Sequence, residues 1–344
     1  MIDIDFYEKV YALKSKGLPI PFDVMESYRS AVPVVYNIET TNRCNMRCEM
    51  CPRTTMMTRP VETMKPEVFK RVIDQLMPYT AWQWSEWKAF VMENYHILPG
   101  DMSENHFFLY VIPRVIVLHG YGDPLLDVNI PKYVEWMSEK GLESYFSCNP
   151  ANINMDRTLE TFANGLGYIK YSIESVDDAK YKAVRGQAAN FSESYKNIMR
   201  LLELKAQRGY KTTIVITMLN LNKPDQLEEY ARLVEVFKGC DVYIYLKSQD
   251  QMWYEDNKQG TASIHWKEFC QFPWSSMTVK SNGECVSCVE DFDNEIILGD
   301  AKVDSLYDIW NGAKYDWFRR EHYNMGAPIK CKRECDMKLI GEIE

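Results

Sequence analysis

Six short runs of β-branched and aromatic residues punctuate the first two-thirds of this chain, and longer segments of helical period separate them. The runs are VVYNIE (34–39), RVIVLH (114–119), ESYFSC (143–148), YIKYSI (168–173), TTIVITML (212–219) and DVYIYL (241–246). Amphipathic stretches at 130–140, 191–207 and 225–237 lie between them. Strands alternating with helices imply right-handed crossovers and a parallel sheet. Six such units predict an α/β fold, a partial (β/α)6 TIM-like barrel over 34–249, with chemistry at the carboxyl ends of its strands. Residues 1–33 read as a helical lead-in, divided at Gly17-Leu18-Pro19.

Two regions break this rhythm. Residues 79–113 hold no barrel strand but carry Trp82, Trp84, Trp87, His96 and His106. An insertion of that length is expected to be a lid over the barrel mouth or a small added subdomain, its aromatics packing a capping helix. After Gln249 the pattern changes again. WSSMTVKSNGECVSCVED predicts a β-hairpin turning at Ser281-Asn282-Gly283. A short helix near Ser305–Trp310 and a cysteine-bearing tail follow, giving a small α+β unit over 250–344.

Composition narrows the class. Of 344 residues 46% are hydrophobic, enough for a large core. The balance of 40 Lys+Arg against 49 Asp+Glu gives a net charge of −9, which argues against nucleic acid as a partner. The opening MIDIDFYEKV lacks the basic and apolar regions of a signal peptide, and no apolar run is long enough to span a membrane. A soluble, cytoplasmic protein is expected. Ten cysteines in a reducing compartment then point to metal binding or chemistry rather than disulfides.

Three of them form Cys44-x3-Cys48-x2-Cys51, directly after the first strand. Structural zinc generally takes four protein ligands, and no fourth Cys or His is near in sequence. Thiolates are soft donors suited to iron–sulfur clusters, and three of them on a four-iron cubane leave one iron open to a small molecule. A zinc site borrowing a distant ligand is the competing reading.

This motif at this position resembles the radical S-adenosylmethionine (SAM) superfamily. There the open iron chelates SAM, and one-electron reduction yields a 5′-deoxyadenosyl radical that takes hydrogen from substrate. The resemblance implies a SAM-binding [4Fe–4S] cluster on Cys44, Cys48 and Cys51, and an external one-electron reductant such as flavodoxin or ferredoxin. It runs through about residues 34–246. Gly120-Tyr121-Gly122-Asp123-Pro124 follows strand two, where the family carries a Gly-Gly-Glu-type SAM loop. Glycine there lets backbone approach the ligand, and Asp123 replaces the commoner Glu as partner for the SAM ammonium. Asn149 ends strand three, Ser172-Ile173-Glu174 ends strand four near the ribose, and Arg185 falls where an arginine meets the SAM carboxylate. Met50 takes the position associated with adenine packing.

The second cysteine group is Cys270, Cys285, Cys288, Cys331 and Cys335. Cys285-x2-Cys288 with Cys331-x3-Cys335 is also a zinc-ribbon pattern. Cys270-x12-Gly283-x4-Cys288 opening a hairpin, then a cysteine pair, resembles the twitch/SPASM extension of radical SAM enzymes. That resemblance assigns Cys270, Cys288, Cys331 and Cys335 to one auxiliary [4Fe–4S] cluster and leaves Cys285 free.

A fully ligated auxiliary cluster serves as electron relay or staple, and a relay suits oxidation of an alcohol to a carbonyl. The leading expectation is a dehydrogenase acting on a sugar, cyclitol or similar polar small molecule, the reaction of a related twitch enzyme in aminoglycoside assembly. The 43 residues before Cys44 are too few for a fused leader-peptide-binding domain, which weakens a peptide substrate without excluding it. The alternatives are a radical epimerase with Cys285 or Cys148 as hydrogen donor, a peptide-modifying enzyme, and a noncatalytic electron carrier. His119 is a candidate proton acceptor. Glu174, Lys247 and Gln249 sit near strand ends that open into the barrel mouth.

Overall fold

The computed structural model describes residues 1–247 and 270–324. The six alternating runs form β1 (Val35–Ile38), β2 (Ile116–Val117), β3 (Ser144–Cys148), β4 (Tyr168–Ser172), β5 (Thr213–Leu219) and β6 (Tyr243–Lys247). They pair in parallel in sequence order, β6-β5-β4-β3-β2-β1. The predicted helices lie at Ile130–Glu139, Phe191–Arg208 and Gln226–Val236. Each turns an apolar face inward; the first buries Ile130, Tyr133, Val134 and Met137 against the sheet. Two helices, Ile4–Lys14 and Phe22–Tyr28, make up the lead-in.

The sheet does not stop at β1. A partial barrel leaves an edge of unpaired backbone groups, which must be covered. Here β7 (Met277–Val279) fills that place, parallel to β1 with Ile38 opposite Val279. The hairpin continues through Gly283, at φ +87°, into β8 (Glu284–Val286), and β9 (Gly299–Asp300) adds outside it. The cysteine-rich region is therefore joined to the barrel sheet. The carboxyl end of β7 lies beside the carboxyl end of β1.

The insertion does not act as a lid on the carboxyl ends. Its helix Ala81–Tyr95 starts with a Thr80–Gln83 capping box and buries Trp87 and Val91 against the lead-in, whereas Trp82 is exposed. The Trp87 indole N–H donates to the Leu109 carbonyl at 2.8 Å. A π-helical turn, Phe107–Val111, then pushes Phe107 into the barrel. Its ring lies 5.4–6.1 Å from those of Tyr145, Tyr168, Tyr243 and Tyr245, and His106 meets the Tyr243 hydroxyl at 3.1 Å. Tyr168 and Tyr243 begin their strands, so the insertion plugs the barrel from the strand starts. Six strands leave inward apolar groups such as Val215 and Tyr245 uncovered, and the plug buries them. No described helix is long and apolar enough to cross a membrane.

Candidate active site

The loop that leaves β1 carries Cys44, Cys48 and Cys51, and two separate elements hold it in shape. Arg53 donates to the Cys44 and Met46 carbonyls, at 2.6 and 3.2 Å. The amides of Arg47 and Glu49 donate to the carbonyls of Arg185 and Val184, at the end of helix Asp178–Arg185. That helix stops at Gly186, φ +89°, where a Cβ would stand 3.0 Å from the Arg47 nitrogen. Glycine is needed for both the conformation and the close approach.

The three cysteines share one cavity of ≈ 270 Å³ with Met50 of the same loop, with Gly120, Gly122, Asp123, Asn149 and Ser172 from the ends of β2, β3 and β4, and with Arg185 from the helix that follows β4. The sequence-derived cofactor set thus converges, apart from Glu174, which is buried behind it. Burial pushes the thiols of Cys44 and Cys51 up, Cys51 to about 11. They become thiolate ligands only when a cation compensates that burial. Among the described residues no three His, Cys, Asp or Glu side chains are placed to hold a single ion. A cubane binds each thiolate on a separate iron, so three soft donors along one cavity wall fit it better than they fit one ion.

The glycines of the 120–123 loop, besides lining the cavity, let the loop pack closely. A Cβ on Gly122 would sit 2.0 Å from the Thr41 carbonyl oxygen, and one on Gly120 would sit 2.3 Å from a Glu39 carboxylate oxygen. They let this loop lie directly on the segment leaving β1, where the Asp123 amide donates to the Arg43 carbonyl at 2.8 Å. Asp123 is 2% exposed, and its carboxylate accepts from the Leu125 and Asn149 amides at 3.0 Å each and from the Asn152 side chain. It ties strand two's loop to strand three's. Burial nonetheless holds its carboxyl above the usual range.

Glu174 and Arg185 meet each other. Arg185 grips the carboxylate through Nε at 2.6 Å and through Nη2, while Nη1 approaches the Cys48 sulfur at 3.6 Å. Arg185 therefore spends one edge of its guanidinium on the protein and turns another toward the cysteine loop.

His119, Gly120 and Tyr121 also line a second chamber of ≈ 230 Å³ inside the barrel. Lys170 of β4, Lys247 of β6, Asn37 of β1 and Phe107 of the plug face it, and Glu290 reaches it from the loop after Cys288. The Asn37 amide donates to the Val117 and His119 carbonyls, yet among the described residues its fully buried Oδ1 has no hydrogen-bond partner. A buried acceptor left open calls for a donor, from water or from a ligand. His119 Nδ1 accepts from the Ser147 amide at 2.9 Å. Burial, reinforced by Lys170, drives its basicity down to about 3. A neutral ring with Nδ1 already accepting carries its proton on Nε2, so His119 presents a donor; this corrects its reading as a proton acceptor.

Cys270 and Cys288 pack at the margin of one aromatic cluster with Tyr7, Phe272 and Trp274. Burial pushes the Cys288 thiol up to about 12. Cys285 faces the other way, fully buried in the main core on β8, and lines neither cavity. That placement corrects the expectation that Cys285 stands ready to donate hydrogen. Cys148 does line the cysteine cavity. Cys331, Cys335 and Gln249 lie outside the described residues.

Sequence reasoning missed the joint between the two halves. Glu39, at the end of β1, accepts from Arg59 at 2.6 Å, from the Ser281 hydroxyl at 2.9 Å and from the Tyr121 amide at 3.1 Å. Burial pushes its carboxyl up, but Arg59 and Lys280 outweigh that and hold it below the usual range. Arg59 also donates to the Phe292 carbonyl, and Asp293 accepts from Thr58 and Arg59 amides. The segment after one cysteine loop is thus stitched to the segment after the other. A lone Glu ending a strand was the available signal.

Residues 109–234 match the radical SAM superfamily, and residues 270–336 match SPASM, an iron–sulfur cluster-binding domain. No curated protein matches the chain. Among solved structures, SuiB of Streptococcus suis bound to S-adenosylmethionine is 12% identical, over 91% of this chain and 78% of its own, with a TM-score of 0.54. The protein anSMEcpe with bound AdoMet is 12% identical over 88% of each chain, also at 0.54. BtrN in complex with AdoMet and 2-DOIA is 15% identical over 88% of this chain and 97% of its own, at 0.47. At such identities the likeness is one of fold.

Proposed function

The chain belongs to the radical SAM superfamily and carries a SPASM domain, so its cofactors are a [4Fe–4S] cluster, SAM and auxiliary iron–sulfur; from that premise we propose that it dehydrogenates a polar small molecule in the chamber inside its barrel. In this reading Cys44, Cys48 and Cys51 hold the first cluster. Met50, Asn149, Ser172 and Arg185 surround SAM, with Gly120, Gly122, Asp123 and Glu174 fixing the loops behind it. Cys270, Cys288, Cys331 and Cys335 hold a single auxiliary [4Fe–4S] cluster, and an external cytoplasmic one-electron donor such as flavodoxin or ferredoxin supplies the reducing equivalent.

One observation carries the proposal: the cysteine cavity and the barrel chamber share the wall His119-Gly120-Tyr121. When bound, the cofactors supply a carbon radical that removes hydrogen from substrate and, at the auxiliary cluster, an acceptor for the electron left behind. The chain's own residues do the rest. The Asn37 Oδ1 accepts a substrate hydroxyl, the Nε2–H of His119 donates to a substrate oxygen, and Glu104 and Glu290 are carboxylates on the chamber wall. The Phe107 plug and the chamber's ≈ 230 Å³ suit a small molecule better than a peptide. A second reading, radical epimerisation, is favoured by the placement of Cys148 in the cysteine cavity. It differs in a direct observable, since epimerisation in deuterated water labels the product carbon, whereas dehydrogenation yields a carbonyl.

The first test is iron and acid-labile sulfide per chain after anaerobic reconstitution, with zinc analysis and a SAM-cleavage assay. Wild type is compared with the Cys44→Ala/Cys48→Ala/Cys51→Ala variant. The expected result is about eight irons falling to about four, with cleavage abolished. About four irons in wild type, with zinc retained in the variant, would replace the auxiliary cluster by a zinc staple and remove the electron acceptor.

A further inference from the structure

A fully buried ammonium needs an anion beside it, and among the described residues Lys280 has none at contact distance. It follows β7 and is 0% exposed. Its Nζ donates to the Val289 carbonyl at 2.7 Å and lies 5.7 Å from the centre of the Tyr121 ring. Among the described residues it makes no ion pair. Isolating a charge in this way is strongly unfavourable unless something neutralises it.

Burial, with Arg59 nearby, works against the Lys280 ammonium; the negative groups that oppose this are, largest first, Glu39, Asp291 and Cys288. Glu39 is already matched by Arg59, with Ser281 and Tyr121 on its remaining lone pairs. Asp291 accepts from the Glu295 and Ile296 amides at 2.7 and 2.9 Å, and burial raises its carboxyl. That leaves Cys288, the residue next to the carbonyl that Lys280 binds. The hairpin explains the placement. Because β7 runs parallel to β1, the residue after Val279 emerges at the carboxyl end of the barrel; β8 runs back toward the start of β7, and the segment beyond it places the Val289 carbonyl, next to Cys288, within reach of the Lys280 side chain.

We propose that Lys280 is the built-in counter-ion of the auxiliary cluster at Cys288, raising its reduction potential so that it accepts the electron released by substrate. The proposal rests on the auxiliary-cluster reading above. Four thiolates on a four-iron cluster leave a net negative charge that grows on reduction, so a fixed cation in a low-dielectric setting stabilises the reduced form more. Tyr121 lies over the Lys280 ammonium, and its hydroxyl donates to Glu290 at 2.8 Å. The cation therefore sits between the SAM-side loop and the second cysteine loop.

The experiment is a potentiometric titration followed by electron paramagnetic resonance, in the Cys44→Ala/Cys48→Ala/Cys51→Ala background where the auxiliary centre alone contributes. Lys280→Met is expected to keep its iron and become tenfold harder to reduce, a fall of about 59 mV for a one-electron couple. Lys280→Arg, which keeps the charge, is expected to return the midpoint close to wild type. An unchanged midpoint in Lys280→Met with iron retained would overturn the proposal. So would loss of iron from both variants, which would make Lys280 a packing residue. Loss from Lys280→Met alone, with wild-type behaviour in Lys280→Arg, supports it. Zinc in place of iron in the unsubstituted background would instead sink the auxiliary-cluster reading itself.

Discussion

Arg185 stands between Glu174 and Cys48, its guanidinium gripping the carboxylate with Nε at 2.6 Å while Nη1 lies 3.6 Å from the cysteine sulfur. The Glu174 side chain is 1% exposed, so removing its partner strands a buried charge. Arg185→Met is expected to cost about 3 kcal/mol. Adding Glu174→Met should recover much of that, because no lone charge remains. Urea unfolding of the single and double variants measures both. Additive losses would mean that the two residues act separately and that the pair does not organise the cysteine loop.

Gly122 tests whether the loop after β2 must touch the segment after β1. A Cβ there meets the Thr41 carbonyl oxygen at 2.0 Å and the Asn42 Cα at 2.8 Å, both backbone atoms that cannot swing away. Gly122→Ala is expected to displace the loop and weaken SAM binding by a factor on the order of ten or more, read by equilibrium dialysis on the reconstituted protein. Gly209→Ala provides the contrast. Its φ of +69° makes the substitution strained, yet nothing lies within 4 Å, so stability falls and SAM affinity does not.

The barrel was legible because each strand and helix announces itself locally, through β-branched runs and a helical period read over ten or so residues. The same holds for the turn at Gly283 and the cluster of functional residues at strand ends. Pairings between distant segments carry no local mark. Glu39 and Ser281 are 242 positions apart, and nothing near either predicts their hydrogen bond or the β1–β7 pairing that creates it. Glu174 and Arg185 were each legible as site residues, but their partnership appears only when helix Asp178–Arg185 folds back over β4. Phe107 reads as buried within FFLYV, yet its place inside the barrel depends on how far six strands fall short of closing it.

His119 gives the molecule an acid sensitivity whose sign is fixed. Its folded basicity of about 3 lies below the ordinary 6.5, so between those values the unfolded chain binds a proton that the folded chain refuses. Stability from this group is complete above pH 6.5 and declines as pH falls toward 3. Between pH 7 and pH 5 the loss is about 2 kcal/mol. His119→Gln keeps an acceptor for the Ser147 amide and does not titrate. Comparing urea midpoints at the two pH values, the variant should lose less than wild type by that amount; equal losses would show that His119 is protonated in the folded chain.

Cys285 and Cys288 are three positions apart and are expected to behave in opposite ways. Cys285 lies on β8 opposite Val279, fully buried in the main core, with burial pushing its thiol up to about 12. Cys285→Ala removes one buried atom and should cost about 1 kcal/mol while leaving iron and SAM cleavage unchanged. Cys288, beyond the end of β8, turns toward Cys270's aromatic cluster instead. Cys288→Ala is expected to lose about four irons per chain and to keep the SAM-side cluster, because the first cysteine loop is held independently by Arg53 and the end of helix Asp178–Arg185. Iron and sulfide analysis alongside urea unfolding separates the two outcomes. Iron lost from Cys285→Ala and retained in Cys288→Ala would move the ligand to β8, and the counter-ion argument for Lys280 would lose its anion.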